Sequence, residues 1–213
     1  MRRPQLPSSM WWSINSHYHG WLLRQLPARA EHALDVGCGT GALVRELAAR
    51  VERVDGVDVS ARMIERAREK SRALSRVRWL LGDVLDGDLP LRPDGYDVVT
   101  AVSSLHHMPL RPAMARMAEL VRPGGTLAVI GFYRRSTLSD HVVSAIALPA
   151  YAAVGAYRAA MGRGGKLEND GMPVQDPTTT LAEIRAAAAE LLPGARVRRC
   201  LFHRYRLVWR RPS

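Results

Sequence analysis

The chain has 213 residues, of which 47% are hydrophobic and 24% are charged, as expected for a single globular domain. The formal net charge is +11, but the arginines are scattered and no run exceeds a pair, which argues against a nucleic-acid substrate. The two cysteines, Cys38 and Cys200, provide neither a disulfide framework nor a metal site. No apolar run reaches the roughly 18 residues that span a bilayer, and the amino terminus has no apolar core. We therefore expect no signal peptide, no membrane span and a cytoplasmic location.

The first predicted element is an amphipathic helix over residues 10–26. Its apolar positions recur at spacings of three and four, which places them on one face. They are Trp11, Ile14, Tyr18, Trp21 and Leu22. Pro27 ends the helix.

A strand followed by a glycine turn is predicted next. The strand runs from His32 to Val36, and Asp35 stands near its carboxyl end. Glycine then occupies three alternate positions, at Gly37, Gly39 and Gly41, with Cys38 between the first two. Because glycine has no β-carbon, we expect a ligand to approach the backbone here. The pattern Gly37-x-Gly39-x-x-Ala42, followed by Asp58, also fits a dinucleotide-binding fingerprint.

The fuller pattern, Asp-x-Gly-x-Gly-x-Gly, resembles the first motif of the class I S-adenosylmethionine (SAM)-dependent methyltransferases. Three later features match the same family: Asp58 at the end of the second strand, Asp83 after the third, and the segment 103–108 after the fourth. An acid after the third strand is not required by nicotinamide enzymes, so Asp83 favours SAM over a dinucleotide. The segment 103–108 is similar to the small-molecule branch of the family, which includes the ubiquinone- and menaquinone-pathway enzymes.

The resemblance implies a role for each matched position. Asp58 would accept hydrogen bonds from both ribose hydroxyls, and Asp83 with the Val84 amide would meet the adenine ring. Met63 would pack on the adenine face or belong to the core, and the carbonyl of Ser103 would accept from the SAM ammonium. Residues 10–26 would form a lid, from which Tyr18 could contact the cofactor. The full set of cofactor-binding candidates is Asp35, Gly37, Cys38, Gly39, Gly41, Asp58, Val59, Met63, Asp83, Val84, Ser103 and Tyr18.

Two adjacent histidines, His106 and His107, are the candidates for a general base, because imidazole titrates near neutral pH. His107 is the favoured one. The alternative for either ring is a hydrogen bond to the local backbone. A base is needed only when the acceptor loses a proton of high pKa.

The remainder of the chain completes an α/β pattern. Alternating strands and helices predict a Rossmann-like, mostly parallel sheet with helices on both faces, to which the family adds a seventh, antiparallel strand. We expect a single domain, 1–213, with a SAM-binding core at 33–131. A helical insertion at 133–180 would shape the acceptor site, and a helix and hairpin at 181–210 would close the fold.

These observations predict methyl transfer from SAM to a small-molecule acceptor by direct displacement, leaving S-adenosylhomocysteine. Oxygen, nitrogen and carbon acceptors all remain open. Two alternatives from other classes are a SAM-binding regulator without catalysis and a nicotinamide-dependent oxidoreductase. A macromolecular substrate is a third possibility, and it would need an open, flat acceptor face.

Overall fold

The computed structural model describes residues 12–162 and 175–213. In chain order its helices and strands are α1 (Ile14–Leu23), β1 (His32–Val36), α2 (Ala42–Ala48), β2 (Arg53–Asp58), α3 (Ala61–Lys70), β3 (Val77–Leu81), β4 (Tyr96–Val102), α4 (Leu110–Leu120), β5 (Val121–Phe132), α5 (Leu138–Ala160), α6 (Leu181–Leu191), β6 (Arg196–Arg199) and β7 (Arg204–Arg210). A 3₁₀ turn, Leu105–His107, lies between β4 and α4.

Within these described residues, seven strands form one sheet in the order β3-β2-β1-β4-β5-β7-β6. Strands β1 to β5 are parallel, and β7 runs antiparallel to both β5 and β6. The strand order reverses between β1 and β4, and open α/β sheets bind ligands at the carboxyl ends of strands beside such a reversal. The predicted Rossmann-like fold with one antiparallel strand is therefore confirmed.

Both faces of the sheet are buried, which explains why its strands read as nearly continuous apolar runs. Successive residues of β4 alternate between two hydrophobic cores: Val98 packs in one and Val99 in the other. The core that contains Val99 is shared with α4 and α6. The core that contains Val98 is shared with α1, α2, α3 and part of α5.

Side-chain caps begin helices α3 and α6. Ser60 accepts a hydrogen bond from the Met63 amide at the start of α3. Thr180 and Glu183 form a reciprocal capping box at the start of α6. Helix α1 is shorter than the predicted 10–26, because Ser13 caps it and it ends at Leu23. Residues 10 and 11 lie outside the described residues.

Helix α5 corrects the prediction that no segment is long enough to span a bilayer. Pro149 and Gly155 interrupt the apolar run in the sequence, but the helix continues through both of them for 23 residues. Among the described residues, this helix alone is long and apolar enough to cross a membrane, judged by length and composition. One stripe of it packs on the domain through Ala147 and Tyr151, while Ile146 on another side is exposed. Residues 163–174 of the predicted insertion at 133–180 lie outside the described residues.

The closing hairpin forms without the usual turn residues. Phe202 and His203 adopt left-handed φ values of 61° and 56°, a conformation that costs a non-glycine residue roughly 1–2 kcal/mol. The side chain of Phe202 is buried against Trp12, with ring centroids 5.4 Å apart. The burial of the Phe202 ring offsets this backbone cost, which explains how the turn forms without glycine or asparagine.

A buried carboxylate connects four strands near the amino-terminal edge of the sheet. Asp55 on β2 accepts hydrogen bonds from Arg78 (2.6 Å and 3.0 Å) and from the Tyr96 hydroxyl (2.6 Å), and its carboxylate lies 3.2 Å from His32. Burial alone would raise the pKa of Asp55, but these hydrogen bonds outweigh burial and lower it. The carboxylate therefore stabilises the fold in its ionised form.

Replacing Asp55 with Asn should lower the free energy of unfolding by about 2–3 kcal/mol at neutral pH, because a buried ionised acceptor is lost. Since the folded-state pKa is lowered, the advantage of the wild type should be present above about pH 4 and shrink as the pH falls below it. Urea unfolding across this pH range measures the difference. Glu190→Gln is the control: Glu190 pairs with Arg111 at the exposed surface, so its loss should leave the midpoint unchanged. Equal effects of the two substitutions would contradict the prediction.

Candidate cofactor and acceptor site

The predicted site residues gather at the carboxyl edge of the sheet. In the strand register Val36 lies beside Val57 on one side and Ala101 on the other. The glycine turn that follows β1 therefore sits between the ends of β2 and β4. Asp58 ends β2 and pairs with Leu81, so the segment that begins at residue 82 leaves the sheet beside it.

Hydrogen bonds hold the glycine turn against β2. The amides of Gly37 and Cys38 donate to the carbonyl of Val57, at 2.8 Å and 3.0 Å. The amide of Gly39 donates to Oδ2 of Asp58 at 2.8 Å. The three alternate glycines have φ values of 69°, 53° and 76°, which favour glycine. The turn is thus fixed in position by β2 before any ligand binds.

At two of these positions, contacts within the protein explain why the residue is glycine. A β-carbon on Gly37 would lie 2.3 Å from Cβ of Ser104, and one on Gly41 would lie 2.3 Å from the Trp79 ring. Both positions need glycine because other side chains of the same protein fill the space. This steric requirement leaves untouched the expectation that a ligand approaches the backbone of the turn at Gly37, Gly39 and Gly41, which stays a prediction.

Asp58 is positioned to accept further hydrogen bonds. Its Oδ1 accepts from the amide of Ser60 at 2.9 Å, while Oδ2 accepts from Gly39. A carboxylate has about four acceptor positions, so capacity for a diol remains. Val59, the next residue, is exposed, and Met63 on the first turn of α3 is buried.

Asp83 and Val84 follow β3 at the same edge. Oδ1 of Asp83 accepts from the amide of Leu85 at 2.9 Å, which fixes the turn, and the side chain is exposed. The side chain of Val84 is buried, and its carbonyl accepts from Arg116. An exposed carboxylate on a fixed turn is an available acceptor for a ligand amino group.

Asp35 is enclosed below the turn. Only 3% of the residue is exposed, and its Oδ1 accepts from the Thr100 hydroxyl at 2.7 Å. Burial raises the pKa of Asp35 to about 7, and the nearby negative charge of Asp58 contributes in the same direction. The Asp35 carboxyl is therefore partly protonated near neutral pH in the ligand-free protein.

Cys38 and Tyr18 make contacts within the protein. The Cys38 thiol is buried in the core beneath α1 and α2, and burial raises its pKa. The Tyr18 hydroxyl donates to the carbonyl of Leu201 at 3.0 Å, and burial raises its pKa as well. Tyr18 thus joins α1 to the hairpin, and its contact with a cofactor stays a prediction.

A polar cluster joins α1, β4 and β7 at the same edge. Oδ1 of Asn15 accepts from the Ser103 hydroxyl and from the Arg204 guanidinium, each at 2.8 Å. The Arg204 guanidinium lies 3.3 Å from the centroid of the Phe132 ring. Sequence reasoning named Ser103 but missed Arg204, because β7 reads as an ordinary strand and nothing local shows that its first residue is buried.

The two candidate histidines differ in their environments. Burial, with the charges of His107 and Arg204, lowers the pKa of His106 to about 4, so this ring is neutral at neutral pH. Its Nδ1 is buried and has no hydrogen-bond partner among the described residues. Nδ1 of His107 lies 3.0 Å from Oε1 of Gln175, and the ring is exposed. His107 is therefore the more exposed of the two rings and has a side-chain partner at Nδ1.

Comparison with known proteins agrees with this arrangement. A family model described as a methyltransferase domain matches residues 33–125. An uncharacterized methyltransferase of Mycobacterium tuberculosis is 36% identical over 204 residues, which cover 94% of this chain and 98% of that protein. A demethylmenaquinone methyltransferase of Tropheryma whipplei is 34% identical over 103 residues, 48% of this chain and 42% of that protein.

A similar fold occurs in a solved SAM-dependent methyltransferase from Aquifex aeolicus. Its TM-score is 0.60 at 16% identity, with 90% of this chain and 88% of that chain covered. The fold, the glycine turn and the full-length relative together define a class I SAM-dependent methyltransferase. The chain belongs to this family, and SAM is accordingly its methyl donor. The oxidoreductase alternative, allowed by the shorter glycine pattern, is wrong.

Replacing Asp35 with Asn should flatten the pH dependence of stability. Because the folded-state pKa of Asp35 is raised, the folded state binds more protons than the unfolded state between about pH 4 and pH 7, and stability falls as the pH rises through that window. Asn keeps an acceptor for Thr100 and cannot ionise. Thermal unfolding at several pH values should show the variant at least as stable as the wild type at about pH 8. A parallel loss of stability at every pH would show that the carboxylate is required for packing.

Proposed function

We propose that this protein transfers the methyl group of SAM to a small-molecule acceptor bound at the carboxyl edge of the sheet. The observation that carries the proposal is the grouping of Asp58, Asp83 and Ser103 around a turn that is already fixed on β2. A relative that matches about half of this chain is a demethylmenaquinone methyltransferase, which supports a small-molecule acceptor.

The described residues fit the adenosine part of SAM. Asp58 keeps free acceptor capacity for the two ribose hydroxyls, and the exposed Asp83 carboxylate would accept from the adenine amino group. The Val84 amide would meet a ring nitrogen, and Met63 would lie near the adenine face. The backbone of Ser103, at φ 56°, would direct its carbonyl to the SAM ammonium.

Catalysis would then depend mainly on alignment. The bound cofactor supplies a methyl group already activated by its sulfonium. The chain must hold the acceptor in line with the carbon–sulfur bond and exclude water. His107 would remove a proton from acceptors that carry one, with Nδ1–H donated to Gln175 so that Nε2 is free as the base. His106, which is neutral and lies against Phe132, would form part of the pocket wall.

The enclosing elements support a small acceptor in a cytoplasmic protein. Helix α5 packs on the residue that precedes the cap of α1, since Tyr151 stacks on Trp12 with centroids 4.9 Å apart and its hydroxyl donates to the Trp12 carbonyl. A helix held on the domain in this way supports an acceptor-site insertion at 133–180. The same contacts favour a helix that lies on the domain over one that crosses a membrane.

Replacing Asp58 with Ala should weaken S-adenosylhomocysteine binding by roughly 1–3 kcal/mol, from the loss of charge-assisted hydrogen bonds. Calorimetric titration measures the change. Asp86→Ala is the matched control, because Asp86 is an exposed carboxylate in the next turn. Because Asp58 also accepts from Gly39 and Ser60, the thermal midpoint of each variant should be measured beside its affinity. Unchanged affinity would remove Asp58 from the site.

Replacing His107 with Ala should lower kcat more than it changes KM, and should remove the lower limb of the pH–rate profile. The assay follows S-adenosylhomocysteine formation with an acceptor found by screening phenols, amines and carboxylic acids. Gln175→Ala should reproduce part of the loss. Unchanged kcat in His107→Ala would assign this ring a structural role. Tight SAM binding without turnover on any acceptor would favour the regulator alternative.

A further inference from the structure

The guanidinium of Arg204 is a buried charge that the described protein does not neutralise. Only 4% of the residue is exposed. Nη2 donates to the neutral amide of Asn15 at 2.8 Å, while Nε is buried without a hydrogen-bond partner. Among the described residues, no carboxylate lies within ion-pair distance of it. Burial lowers the pKa of Arg204 to about 9, which shows how unfavourable the site is for an unpaired cation.

The neighbours of Arg204 do not compensate for this charge. The face of Phe132 offers a cation–π contact. Burial lowers the pKa values of His106 and His203, and the charge of Arg204 lowers both further. A buried charge without a partner costs several kcal/mol in proteins. Folds keep such a group when a ligand completes the site, as part of a trade-off between stability and function.

The position of Asn15 shows where a ligand oxygen would go. Its Oδ1 bridges the Ser103 hydroxyl and the Arg204 guanidinium, two donors that converge on one acceptor atom. Ser103 directly follows β4, at the edge where the methyl group would be presented. Asn15 lies on α1, outside the sheet, so movement of α1 would vacate this acceptor position.

We propose that Arg204 and Ser103 form a binding site for an organic oxyanion, and that the Asn15 amide oxygen occupies it in the ligand-free protein. This inference rests on the proposed function and names a substrate feature of the same site. The oxyanion is either the carboxylate of the methyl donor or a carboxylate or phenolate of the acceptor. In either case the oxyanion would accept a charged hydrogen bond from the Arg204 guanidinium and a second hydrogen bond from the Ser103 hydroxyl.

The first test supplies the anion from within the chain. Asn15→Asp places a carboxylate beside the Arg204 guanidinium, so the ligand-free protein should unfold a few degrees higher. Since an acid near the start of α1 also favours the helix dipole, the substitution is repeated in an Arg204→Gln background, where the gain should disappear. A gain that persists there, or no gain in the wild-type background, would overturn the proposal.

The second test identifies the source of the anion by calorimetry with three probes. S-adenosylhomocysteine carries the cofactor carboxylate, methylthioadenosine has the same adenosine and sulfur without it, and benzoate stands for an anionic acceptor, tested on protein saturated with S-adenosylhomocysteine. Arg204→Gln should weaken one of the two carboxylate probes about tenfold and leave methylthioadenosine unchanged. Arg198→Gln, at an exposed arginine of β6, is the control.

Each result has a distinct meaning. Loss of S-adenosylhomocysteine affinity alone assigns the site to the methyl donor, and loss of benzoate binding alone assigns it to the acceptor. If Arg204→Gln changes neither, the proposal fails. If the wild type binds neither adenosyl compound, the proposed function fails instead, and the Asn15→Asp cycle still decides whether Arg204 is an anion site. Asp58→Ala should weaken both adenosyl probes, which separates the two positions.

Discussion

The turn after β1 depends on tight contact between backbone and side chains, and the rest of the site depends on this turn. Ser104 occupies the space above Gly37, and Trp79 occupies the space above Gly41. These two side chains come from the segment after β4 and from β3. The turn can therefore close only when the strands on both sides of β1 have assembled, so the geometry of the cofactor site is a consequence of the complete sheet.

This dependence explains which parts of the site could be predicted from the sequence. The positions of Asp58 and Asp83 follow from strand ends, and the carboxyl ends of parallel strands meet at one edge. The caps at Ser60 and Thr180 involve residues three positions apart, so a local pattern is sufficient. The steric requirement for glycine at position 37 could not be found from a local pattern, because Ser104 lies 67 positions later in the chain.

The arrangement of the hairpin turn and of Arg204 was less predictable from the sequence for a related reason. The hairpin turn uses Phe202 and His203, and it is stabilised by the packing of Phe202 on Trp12 and Tyr151. No turn residue marks it, and both aromatic partners are distant from Phe202 in the chain. The burial of Arg204 follows from the same packing, since it begins the strand directly after this turn. A charged residue in a chain with many exposed arginines gives no local sign of its burial.

The two sides of the site therefore differ in what holds them. The cofactor side is fixed by backbone hydrogen bonds between neighbouring strands, which leave little freedom for movement. The other side, where we propose that the acceptor binds, is formed by α1, α5 and the hairpin, and its contacts include aromatic pairs and single hydrogen bonds such as those of Tyr18 and Asn15. Elements held by fewer buried contacts open at lower free energy. If α1 moves, Asn15 leaves Ser103 and Arg204, and these two donors become available to the proposed oxyanion.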